Sequence, residues 1–107
     1  MKNLGEMMKQ VEAMQSRMAE MQARLERAVV TGQSGGGLVK VTLNGKGTMN
    51  SIVVDPSLLK AGEKEILEDL IVAAHTDAKS KSEAMMAEEM QAVTGGLALP
   101  PGLKLPF

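Results

Sequence analysis

Eight positions near the start of the chain, Leu4, Met7, Val11, Met14, Met18, Met21, Leu25 and Ala28, are separated alternately by three and four residues. That spacing is a heptad seam kept through four repeats, and it demands a helix. Charged and amide side chains (Lys9, Gln10, Glu12, Arg17, Glu20, Arg24) fill the other faces. A helix of about 25 residues is roughly 37 Å long, more than a 107-residue globule needs. Two readings follow: an amphipathic helix lying on its own domain, or a helix that also packs against a second chain. Composition favours the second. One phenylalanine, no tyrosine or tryptophan and ten methionines leave little bulk for a dense monomeric interior. Small scaffolds without disulfides or metals commonly gain stability by oligomerising. Leu4, Met7, Val11, Met14, Met18, Met21 and Leu25 are therefore the candidate dimer seam, and its methionines leave the pairing geometry open.

Other classes are excluded quickly. No cysteine means no disulfide framework, and a single histidine provides no metal set, so no metal is expected. No apolar run approaches the roughly 20 residues that span a membrane. Glu6 and Glu12 interrupt the N-terminal segment where a signal peptide would be continuously apolar. A soluble intracellular protein is the expectation.

Beyond the seam the period changes. Residues 28–31 favour a strand that ends at Gly32. Residues 38–43 follow, with Val39, Val41 and Leu43 on one face and Lys40 and Thr42 on the other. Asn44-Gly45 predicts a type I′ hairpin turn, which needs φ > 0 at both central positions. A third strand over residues 48–55 places Ile52 and Val54 inward and is closed by Asp55-Pro56. A second helix begins near Glu63, where the dipole favours Glu63 and Glu65. Its stripe is Ile66, Leu67, Leu70, Ile71, Ala74 and Ala78, and Gly95-Gly96 ends it. The tail LALPPGLKLPF is extended or a flexible arm. The chain divides into a single helix–three-strand–helix domain over residues 1–94 and a proline-rich tail over residues 95–107.

Residues 31–47 hold six glycines and invite comparison with a phosphate-binding loop. Gly32 to Gly37 has the GxxxxG spacing, but Leu38 and Val39 stand where a P-loop has Lys and Ser or Thr. The segment also feeds a strand and not a helix N-terminus. It is a connection that shapes the chain. Adjacent acidic pairs such as Glu68-Asp69 point in different directions on a helix, and His75 reads as a surface or packing residue. No nucleophile, base and oxyanion stabiliser assemble, so no enzyme is expected.

The remaining functional candidates are basic. Arg24 and Arg27 end the first helix, Lys40 and Lys46 lie on the hairpin, and Lys79 and Lys81 lie on the second helix. Base-stacking aromatics are missing, which argues against a single-strand platform. Contact with duplex phosphates needs only Lys and Arg, and a symmetric dimer doubles the patch.

Four stretches, SGGGLVKVTLNG, IVVDPSLL, EKEILEDLIVAA followed by DA, and LPPGLKLPF, together resemble the YbaB/EbfC family of nucleoid-associated proteins over essentially the whole chain. The resemblance implies an α+β fold of two layers in the order αβββα, a homodimer with long projecting helices, and binding of double-stranded DNA in the cytoplasm at the nucleoid. It implies no catalytic activity and no cofactor, and no small-molecule substrate is expected; the mixed-sign charges of the first helix, without a lysine/arginine-rich polar face, argue against a membrane partner. Lys79 and Lys81 match a basic cluster on the family's second helix, whereas Met49, Asn50 and Ser51 stand where members carry strand arginines. The competing reading is an adaptor that binds another protein through its helices.

Overall fold

A computed structural model of the chain describes residues 2–94; the expected proline-rich tail lies outside the described residues. The order is α1 (Lys2–Arg27), β1 (Val29–Ser34), β2 (Val39–Asn44), β3 (Met49–Val54), a 3-10 turn (Pro56–Leu58) and α2 (Lys64–Thr94). The three strands form an antiparallel meander in the order β1-β2-β3. This is the helix–three-strand–helix order that the periodicities predict, in the two-layer α+β arrangement that the family resemblance implies.

The core forms where α2 crosses the sheet. Val39, Val41 and Leu43 alternate onto the helix-facing side and are fully buried with Ala74 and Ala78, while Val30 and Leu58 complete the cluster. β1 does not stop at Gly32 but runs through it to Ser34. A Cβ at Gly32 would overlap the backbone of Ala74 and Ala78. Three small residues thus let strand and helix backbones meet. Leu58 is set in place by Asp55, whose carboxylate accepts the Ser57 N–H at 2.9 Å. That bond holds the Asp55 carboxyl below the usual carboxylate range.

The β2–β3 turn departs from expectation. The left-handed pair required by a type I′ turn occurs at Gly35 (φ 61) and Gly36 (φ 68), closed by the Gly37 N–H donating to the Ser34 carbonyl at 3.1 Å. Neither Asn44 nor Gly45 has positive φ. The β2–β3 connection is instead a three-residue loop, with Gly47 N–H donating to the Asn44 carbonyl at 3.0 Å and Gly47 itself left-handed (φ 92). The buried Asn44 side chain fixes this loop by accepting from the N–H groups of Lys46 and Thr48. Gly45 is needed for space: a Cβ there would lie 2.7 Å from the Leu25 side chain, and its N–H donates to the Leu25 carbonyl at 2.8 Å.

Ile52 corrects a further expectation. It pairs with Val41 and so shares the helix-facing side, yet it is 41% exposed. α2 packs over β1 and β2 and leaves β3 uncovered, so only Val54 of the expected pair is half-buried. Ile66 is likewise exposed. It lies one helical turn before Leu70, whose side chain already abuts the Gly35 turn at the end of the sheet.

The sheet's two edges differ. Along β1, the Gln33 N–H donates to Asp77 at 3.1 Å and the Thr31 carbonyl accepts from the Lys81 ammonium at 2.8 Å. Asp77 and Lys81 are themselves 3.4 Å apart, so an ion pair on α2 closes that edge. The outer edge of β3 receives no such cover among the described residues.

Among the described residues α1 joins the body only by its last turns. Met21 and Leu25 are buried against Val93, with Met18, Met85, Met86 and Met90 packed around them. Arg24 meets Glu89 beside this cluster, while Leu4, Met7 and Val11 on the N-terminal turns of α1 stay exposed. The molecule is consequently elongated, 73 Å by 24 Å by 17 Å, with a radius of gyration of 19.7 Å against about 13 Å for a compact chain of this length.

Candidate nucleic-acid interface

The six candidate cations fall into four places. Arg24 and Arg27 stand on the last turn of α1. Lys46, in the β2–β3 loop, meets Lys79 of α2 across a shallow cleft. Lys40 projects from the outer face of the sheet beside Gln33 and Val53, and Lys81 lies at the β1 edge. Lys79 and Lys81 are two residues apart on a helix, so they emerge on different sides of α2. The structure brings Lys46 and Lys79 together and separates both from Lys40 and Lys81.

Three of these cations are held by carboxylates of the same chain. Arg24 donates from Nε and Nη2 to one oxygen of Glu89, at 3.1 and 2.7 Å. That hydrogen bond raises the guanidinium pKa further above its ordinary value. The Lys46 ammonium sits 2.9 Å from Glu26, and Lys81 is held by Asp77 and the Thr31 carbonyl. The Gln33 N–H, and secondly Lys81, hold the Asp77 carboxyl below the usual range. Arg27, Lys40 and Lys79 have no ion-pair partner among the described residues.

The predicted seam is divided in the same way. Met21 and Leu25 are buried within the chain and Met14 and Met18 are half-buried. Leu4, Met7 and Val11, joined by Met8, remain between 55 and 62% exposed. They line an apolar groove of about 370 Å³ with Glu12 and Gln15 at its side.

Sequence reasoning missed His75 and Ser82, which share the Lys46–Lys79 cleft. Their helical spacing with Lys79 was visible, but the loop that completes the cleft is brought there only by the fold. Among the described residues no three His, Cys, Asp or Glu side chains cluster as a metal set, and no helix is long and apolar enough to cross a membrane.

The geometry defines a two-layer α+β protein with one projecting helix and dispersed surface cations. The model of the YbaB/EbfC DNA-binding family matches residues 1–97, and the chain belongs to that family. Nucleoid-associated proteins of Granulibacter bethesdensis and Paramagnetospirillum magneticum are each 60% identical to it over 107 residues, covering the whole of both chains. One from Methylocella silvestris is 56% identical over the same span. The crystal structure of an uncharacterized Helicobacter pylori protein shares the fold, with a TM-score of 0.68 at 23% identity over 92% of this chain and 97% of that one.

Proposed function

We propose that this chain is a homodimeric nucleoid-associated protein that binds double-stranded DNA through its phosphates, with weak sequence preference. Full-length relatives at 60% identity that bear the nucleoid-associated name carry this reading. Self-association is supported by the Leu4, Met7 and Val11 stripe, which finds no partner in its own chain among the described residues. Burying such side chains is worth about 1.5–3 kcal/mol each. The best placed phosphate contacts are Arg27, Lys40 and Lys79, exposed and without a carboxylate partner among the described residues. Arg24, Lys46 and Lys81 serve that role only after exchanging a carboxylate for a phosphate. Weak sequence preference follows from contacts made to the backbone and not to base edges. No catalytic step is assigned.

A salt titration of binding to random duplex DNA, with light scattering for mass, tests this reading. Each neutralised phosphate contributes a slope of about −0.9 in log affinity against log salt. A steep slope and a mass of two chains are expected; a slope near zero rejects phosphate-driven binding. The adaptor reading keeps one specific support, the apolar groove on α1, since methionine surfaces repack around varied partners. It predicts no DNA shift at low salt and co-purification of one defined protein.

A further inference from the structure

We propose that the cleft between the β2–β3 loop and α2 is a phosphodiester site that a proton on His75 switches on. This rests on the DNA-binding reading and gives it a proton-sensitive contact. The cleft encloses about 310 Å³ and presents Lys46, His75, Lys79, Ser82 and Glu83. His75, Lys79 and Ser82 fall on one face of α2 at successive helical turns. Ser82 is only 3% exposed, and its hydroxyl donates to the Lys79 carbonyl at 3.1 Å, which fixes that wall. Gly47 forms the opposite wall, close enough that a Cβ there would lie 3.8 Å from the Ser82 hydroxyl.

The charge balance decides what this cleft attracts. Its fixed cations are Lys46 from the loop and Lys79 from α2. Against them stand Glu83 on α2 and Glu26 of α1, whose carboxylate lies 2.9 Å from the Lys46 ammonium. Two cations and two carboxylates balance, so with a neutral imidazole the cleft carries no net charge. A proton on His75 supplies the unbalanced positive charge. Histidine is the side chain suited to this, because its charge changes between about pH 5 and 8. The imidazolium donates from both ring nitrogens and the lysines donate through their ammonium groups. Donors on both the loop side and the helix side of the cleft suit a tetrahedral oxyanion with several acceptor oxygens, which is what a nucleic-acid backbone presents, and Lys46 reaches it by exchanging Glu26 for the phosphate. By linkage, phosphate binding must in turn draw the proton onto His75.

His75 is the sole histidine of the chain, so its Cε1 proton gives one unambiguous NMR signal. The test uses the full chain, random duplex DNA and dimethyl phosphate as a minimal phosphodiester, at constant ionic strength from about pH 5.5 to about pH 8. DNA affinity is expected to rise on the order of tenfold towards the acidic end, the equivalent of one unit of proton linkage. His75→Gln should flatten that profile. Lys79→Ala, at an exposed position, should weaken binding throughout. Dimethyl phosphate should shift the titration of the histidine signal to higher pH. If His75→Gln keeps the full pH dependence, the proposal is wrong while the DNA reading stands. If DNA never binds but dimethyl phosphate moves the histidine titration, the cleft stands and the DNA reading falls. If neither ligand acts, both fall.

Discussion

Gly32 is where strand and helix backbones come closest, and a methyl group there has nowhere to go, because the atoms it meets are the main chain of Ala74 and Ala78. Overpacking of a built core costs about 1–3 kcal/mol, and here no flexible side chain can yield. Gly32→Ala should therefore lower stability by about 2 kcal/mol or more, read as a reduced midpoint in urea. Asp77 works at the same scale by another means. Its carboxylate accepts from Gln33 and holds Lys81, and its folded pKa is depressed, by the Gln33 N–H first. A depressed carboxylate stabilises the fold above its unfolded pKa of about 3.9 and loses that contribution as pH falls through the folded value. Asp77→Asn should lower the melting temperature at neutral pH, and the gap from the parent chain should close in stronger acid. A gap that is constant with pH would show that the charge on Asp77 is not what stabilises.

At the scale of elements, α1 is one helix with two environments. Leu25→Ala removes a buried side chain and should cost about 2–5 kcal/mol in unfolding experiments. Val11→Ser changes an exposed site, should leave the packing of the single chain unaltered, and should reduce the mass seen by light scattering. Equal loss of stability in both variants would contradict this division. The elements themselves were legible because their periods of 3.5 and 2 residues survive folding unchanged. The turn chemistry was not. Asn44-Gly45 carries the local signature of a type I′ turn, yet Gly45 answers to Leu25, twenty residues earlier, and the left-handed pair is formed by Gly35 and Gly36. Ile52 obeys strand alternation, and only the path of α2 leaves it uncovered. The candidate cations were visible as residue types, but their neutralisation was not: Arg24 and Glu89 are 65 positions apart in sequence.

For the whole molecule, a net charge of −1 hides a local bookkeeping of ion pairs. Glu26 and Glu89 are exposed or half-exposed and hold Lys46 and Arg24, so Glu26→Gln and Glu89→Gln each release a cation without touching the core. Their combination should tighten duplex binding and steepen its salt dependence by roughly two phosphates. An unchanged slope would place the DNA away from this end of α1. The unequal edges of the sheet have a consequence of a different kind. A sheet open on both sides can recruit strands without limit, which is the geometry of a fibre. Here Asp77 and Lys81 seal β1, and among the described residues β3 alone is open. A second copy added edge to edge through β3 presents only its own sealed β1 at the far end. Growth by that route terminates at two, a closed twofold pair.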